Sequence, residues 1–147
     1  MEPIFQAKWF DKLTAREMHK IACARVEIFL LEQGIVCRDL DDTDYGSLHC
    51  FLEQDDRVVA YLRAYPTDRE GEVQLGRILS LTHGIGLGTR LMRDALLAIR
   101  AQMDPRVITM HAQAHARGFY ERLGFTVCSE EFLEENIPHV SMRLIIR

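Results

Sequence analysis

The segment Ser80-Leu81-Thr82-His83-Gly84-Ile85-Gly86-Leu87-Gly88-Thr89-Arg90-Leu91-Met92 constrains the fold of this chain more than any other stretch. Val73 to Leu81 has strand character before it, and Leu87, Leu91, Ala95, Leu96 and Ile99 recur on one helical face after it. Strand, glycine loop and amphipathic helix in that order leave the first N–H groups of the helix unpaired. They also aim the positive end of its dipole at the loop. Glycine has no Cβ, so an anion can approach the main chain and φ > 0 is allowed. A charge-assisted N–H bond to such an anion is worth about 1.5–3 kcal/mol. A handful of them makes a diphosphate clamp, so the loop reads as an anion cradle in an α/β fold.

Known phosphate loops do not fit it. A Walker loop needs Gly-Lys-Ser/Thr, but Thr89 and Arg90 follow Gly88. The dinucleotide fingerprint needs G-x-G-x-x-G and an acid closing the next strand. Gly84, Gly86 and Gly88 are spaced G-x-G-x-G, and Val107 to Gln113 holds no acid. The acidic stretch with Asp39, Asp41, Asp42 and Asp44 fails as a calcium loop, having Asp44 where glycine is required and Cys50 where glutamate is. Cys23, Cys37, Cys50 and Cys128 show no C-x-x-C spacing, and His111 and His115 have no acidic partner beside them, so no metal site is expected.

A net charge of −4 without a basic stripe argues against a nucleic-acid partner. No signal peptide or long apolar run opens the chain, so a cytoplasmic protein with no membrane partner is expected, its cysteines free. With 147 residues, 48% of them hydrophobic and 27% charged, one domain over 1–147 suffices for a core.

Thr14-Ala15-Arg16-Glu17 is a capping box, and apolar spacing predicts a helix from Ala15 to Phe29. Leu48–Glu53 and Val58–Tyr65 read as a hairpin about the turn 54–57, with Val73–Leu81 as the next strand. Val107–Gln113 is a strand, Ala114–Leu123 a short helix closed by Gly124, and Val127–Leu133 and Pro138–Ile146 are strands. Together they predict a mixed, mostly antiparallel sheet of about six or seven strands flanked by helices on both faces. Arg63 and Arg77 lie within apolar strands, where an unpaired charge costs several kcal/mol. One or both are expected to pair with Glu32, Asp41 or Asp44 and so tie the acidic loop to the sheet, and Arg63→Ala is expected to lower the melting temperature by several degrees.

The ordered set H-G-x-G-x-G-T, strand ending Ala112-Gln113, and Ala116-x-x-Phe119-Tyr120-Glu121-x-x-Gly124-Phe125 resembles the GNAT superfamily of acyl-CoA-dependent N-acyltransferases. Arg25-x-x-x-Phe29-x-x-Glu32-Gln33, Asp41/Asp44 with His49, Gly76-Arg77 and Ile137-Pro138-His139-x-x-Met142 resemble its ElaA-like branch. His83 stands where the family usually has Arg or Gln. The resemblance implies a GNAT-like domain that binds acetyl-CoA, without a metal, through Ser80, His83, Gly84, Ile85, Gly86, Leu87, Gly88 and Thr89. It further implies that the backbone near Ile78, Leu79 and Ser80 grips pantetheine and polarises the thioester. Gln113 would bond a pantetheine amide, and Tyr120 would offer a proton to the leaving sulfur.

A protonated alkylamine must also lose a proton, its pKa being near 10.4. Glu32, His49, His111 and His139 are the candidate bases, and the sequence leaves the choice open. The acceptor is expected to be an amine of a small molecule or an exposed peptide amino group. The alternatives are a non-catalytic acyl-CoA sensor and, less well matched, an acyl-homoserine lactone synthase-like enzyme. The sequence does not decide whether subunits pair as a homodimer.

Overall fold

The computed structural model describes residues 2–147. Thr14 and Glu17 form the expected capping box: Thr14 Oγ1 accepts from the Glu17 N–H at 3.0 Å and Glu17 Oε1 from the Thr14 N–H at 2.9 Å. Helix α1 (Ala15–Arg25) starts there. It does not continue as α-helix to Phe29, because from Val26 to Glu32 the backbone loosens into a π-helix. Such segments shift the side chains that follow relative to the preceding face and are frequent at functional sites. Here Ile28 stays buried while Phe29 and Gln33 line a cleft.

Strands β1 (Ile4–Trp9), β2 (Leu48–Gln54), β3 (Arg57–Pro66) and β4 (Glu72–Ser80) pair in sequence as an antiparallel meander. Asp55 and Asp56, at φ 52 and 62, make the left-handed turn that a two-residue hairpin needs. Helix α2 (Leu87–Met103) then crosses over, and β5 (Val107–Gln113) lies parallel to β4. After α3 (Arg117–Arg122), Gly124 at φ 102 ends the helix, and β6 (Thr126–Val127), β7 (Phe132–Glu134) and β8 (Ile137–Ile145) complete the sheet. The described residues form eight strands rather than six or seven, in the order β1-β2-β3-β4-β5-β8-β6, with β7 also on β8. The difference arises at two places: Ile4–Trp9 pairs with β2 as a strand that the sequence reading did not name, and 127–133 is two short strands, both paired with β8, and not one.

Strand alternation sends side chains to two cores. Cys50, Leu52, Leu62, Leu75 and Met110 pack under Leu91, Met92, Ala95 and Ile99 of α2. Phe51, Tyr61 and Leu79 face the other way, under Ile21, Ala24 and Ile28. Each fully buried Leu or Ile contributes about 1.5–3 kcal/mol, so helices are held on both faces.

One irregularity creates the functional geometry. The β3–β4 register passes from Arg63↔Gly76 to Tyr61↔Leu79, which gives β4 one residue more than β3 across that span. Arg77 occupies this bulge at φ 52. The β4–β5 ladder stops just before it, at Leu75↔Met110. Beyond that point the strands splay apart, and the β5-facing edge of 76–80 has no strand partner among the described residues.

Candidate active site

A cleft of about 700 Å³ fills the splay, with Leu79 and Ser80 on one wall, Ala112 and Gln113 on the other, and Phe29 of the π-helix above. A hollow of about 380 Å³ adjoins it at Ser80, His83, Gly88 and Phe119. Thr82, Gly84, Gly86, Leu87 and Thr89 complete its lining, whereas the Ile85 side chain lies in solvent and can contribute only its backbone.

The hollow sits on the start of α2. Gly84 and Gly86 adopt φ 79 and 83, the left-handed region open to glycine. Gly86 is the N-cap without a side-chain cap, and the first turn holds no acid. The first intrahelical bond runs from the Arg90 N–H to the Gly86 carbonyl, at 3.1 Å. The N–H groups of Leu87, Gly88 and Thr89 therefore remain for an anion.

Two bridges from the end of the π-helix cross above the cleft. Glu32 Oε1 and His83 Nε2 meet at 3.0 Å, and Gln113 Nε2 donates to Gln33 Oε1 at 3.0 Å. Of the three acids offered as partners for the strand arginines, Glu32 is therefore not one; it reaches over the cradle loop instead.

The strand arginines join a buried ionic lattice. Arg25, fully buried, donates to Asp39 at 2.8 Å and to Asp44 at 2.7 Å. Arg63 donates to Asp41 at 2.6 Å and Asp44 at 3.0 Å, and Arg77 lies 2.9 Å from Asp39 and 3.4 Å from Asp41. Three cations meet three carboxylates, so the charge closes. Burial alone would raise the pKa of Asp44, but hydrogen bonds from Arg25 and Arg63 hold it below the ordinary carboxylate value. Asp41 behaves in the same way under Arg63 and Arg77. The lattice fastens the 38–46 loop to the bulge, offsetting the roughly 1–3 kcal/mol cost of a non-glycine residue at positive φ.

Residues 37–146 match the family model described as the acetyltransferase (GNAT) domain. The chain belongs to the GNAT acetyltransferase family. Among sequence relatives, a UPF0039 protein of Schizosaccharomyces pombe is 31% identical over 95% of each chain. ElaA of Escherichia coli is 28% identical over 92% of this chain and 94% of its own. The crystal structure of ElaA superposes with a TM-score of 0.90 at 26% identity, covering 97% of this chain and 99% of its own. The crystal structure of an acyl-CoA N-acyltransferase from Pseudomonas aeruginosa does so with 0.90 at 33% identity and the same coverage. The splayed strands and glycine loop of this GNAT chain thus stand in an acyltransferase framework.

The structure separates the candidate residues. Tyr120 lines the cleft, and burial pushes its phenol pKa up to about 12. Ile78, Leu79, Ser80, His83, Gly88 and Gln113 line it too, whereas Glu32 sits at the mouth, against His83. His139 is buried in the same cleft, near His111 and a residue the sequence reading missed, Glu134. Only the Glu135-Asn136 turn, at φ 51 and 60, could have signalled that this hairpin carries a cleft residue.

His49, expected as a base, is instead an interior residue with both nitrogens engaged. Arg25 donates toward the Tyr61 hydroxyl at 3.5 Å, Tyr61 O–H donates to His49 Nδ1 at 2.7 Å, and His49 Nε2–H donates to the Asp44 carbonyl at 2.9 Å. The relay requires neutral His49, and burial lowers its pKa. This yields a pH prediction. A histidine with a depressed folded pKa takes up protons more readily when unfolded, so its contribution is complete above the free value near 6.5 and declines below it. Asp41 and Asp44 contribute above about 3.9 and lose their contribution as pH falls through their lowered folded values. Urea unfolding should show stability flat between pH ~7 and ~8, sloping down below ~6.5 and falling steeply under ~4. His49→Gln should remove only the upper slope, and an unchanged slope would contradict the assignment.

Proposed function

We propose that this chain transfers an acyl group, acetyl foremost, from a coenzyme A thioester to an amine of a small molecule or an exposed amino group, by direct attack in a ternary complex. One observation carries the reading: the unpaired edge of β4 and the uncapped start of α2 open into one continuous cleft. In this reading the diphosphate takes the N–H groups between Gly84 and Thr89. Pantetheine then runs along 78–80, as an added strand does on a free edge. Gln113 exchanges its bond to Gln33 for a pantetheine amide. A backbone N–H near Leu79 polarises the thioester carbonyl, a contribution of about 2.7–4 kcal/mol for one such donor.

Tyr120 donates its O–H to the departing sulfur. With its pKa raised to about 12 the phenol stays protonated at neutral pH, so the donor is in place before each turnover. Tyr120→Phe is expected to lower kcat about tenfold or more while the Kd for CoA stays constant. Equal turnover would remove Tyr120 from the chemistry.

The reading is tested by calorimetric titration with CoA together with free-thiol release from acetyl-CoA over a panel of amines. Binding with amine-dependent thiol release supports acyl transfer. Binding without release would leave an acyl-CoA sensor.

A further inference from the structure

The cofactor roles above leave three residues at the acceptor end of the cleft unused: His111, Glu134 and His139. Register brings them together, since His139 pairs with Gln113 on one side and Phe132 on the other, and His111 lies two residues before Gln113 on β5. A carboxylate only accepts, so the 2.9 Å contact between His111 and Glu134 is His111 Nδ1–H donating to Glu134 Oε1. His139 Nδ1 is 2.6 Å from the Ile137 carbonyl, which also only accepts. The Nδ1 proton of His139 is thereby fixed, and the lone pair of the neutral ring falls on Nε2. Phe132 stacks on His139 at 6.1 Å and meets His111 edge-on at 5.2 Å, which orients both rings.

Two acceptors are left facing each other. His139 Nε2 and Glu134 Oε2 are 3.6 Å apart. Facing lone pairs at that range repel unless a proton or a cationic donor joins them. Glu135 adds a second carboxylate to the same end of the cleft.

We propose that this pair docks and deprotonates the acceptor, a cationic primary amine whose ammonium bridges Glu134 Oε2 and His139 Nε2. His139 is the base, Glu134 holds the cation, and His111 is a positioning residue that holds Glu134; the assignment rests on the acyl-transfer reading above. The ammonium gives one proton to His139 Nε2, whose new N–H turns to Glu134. The freed nitrogen pair forms the C–N bond, the C–S bond breaks, and sulfur keeps its electron pair. The second proton of the nitrogen ends on that sulfur by way of Tyr120. The first leaves His139 for solvent past Glu134, which is 44% exposed.

The experiment compares propylamine, a cation at neutral pH, with trifluoroethylamine, whose fluorines leave it mostly neutral there. With acetyl-CoA and the full chain, His139→Gln should lose about 100-fold in kcat/KM for propylamine and little for trifluoroethylamine. Glu134→Gln should raise KM for propylamine alone, and the Kd for CoA should be unchanged in both. Loss of both amines together, or of neither, overturns the proposal. If the unaltered chain binds no CoA or releases no thiol, the acyl-transfer reading falls separately. Nitrogen NMR then still decides this site: propylammonium must shift the His139 ring nitrogens in the unaltered chain and fail to do so in Glu134→Gln. Absence of that shift overturns the proposal even if the His139 variant does not fold.

Discussion

Gly88→Val should abolish CoA binding while leaving the fold intact. Gly88 is the second residue of α2, and a Cβ there would stand 3.5 Å from Phe119 Cζ, an ordinary contact. The helix therefore accepts a side chain at this position. The valine methyls, however, enter the hollow above the N–H groups of Leu87, Gly88 and Thr89. Losing two such bonds to a diphosphate, at about 1.5–3 kcal/mol each, raises the Kd at least about 100-fold. Calorimetry with CoA reads the loss, and the melting curve should stay in place. Retained affinity would put the cofactor elsewhere and remove the basis of the proposed activity. Gly86→Val is a poorer probe, since φ 83 strains any side chain there regardless of ligand.

Asp44→Ala should be the most destabilising single change in the ionic lattice. The Asp44 carboxylate accepts from Arg25 at 2.7 Å, from Arg63 at 3.0 Å and from the Asp41 N–H at 3.3 Å, and the residue is only 4% exposed. Its removal leaves two buried guanidinium groups short of a counter-ion, a loss of about 3–5 kcal/mol. For a domain of this size each kcal/mol moves the melting temperature by about 2–4 °C, so a fall on the order of 10 °C is expected by calorimetry. Arg63→Ala should act in the same direction. Arg63 Nε is buried without a partner among the described residues, so the loss from removing Arg63 should be smaller. A melting temperature unchanged in Asp44→Ala would mean that the lattice does not hold the loop. The two experiments are independent, one reading cofactor affinity and the other the anchoring of the 38–46 loop.

Much of the architecture was legible because it is local. The capping box at Thr14 and Glu17, the limits of β5 and the uncapped glycine start of α2 depend on residues a few positions apart. Apolar spacing places helix faces in the same way. The π-helix was not legible, because Val26–Glu32 has the apolar composition of an ordinary helix and carries no local signal for wider turns. Nor was the break between β6 and β7, where pairing with β8 and not strand propensity decides the boundaries.

The same division runs through the site. Sequence alone determined that glycines and a helix start would offer main-chain donors, that Tyr120 would follow one strand later, and that buried arginines would require acids. Tertiary structure decided which acids those were, since Asp39 reaches Arg25 and Arg77 only through the loop's path over the bulge. It moved His49 from the list of bases into the core, because strand alternation and Tyr61 close around it. It also brought Glu134 between two histidines from different strands. Backbone donors and caps are properties of neighbouring residues, whereas the partner of a buried charge or base is chosen by register, and register is settled only when the whole sheet is assembled.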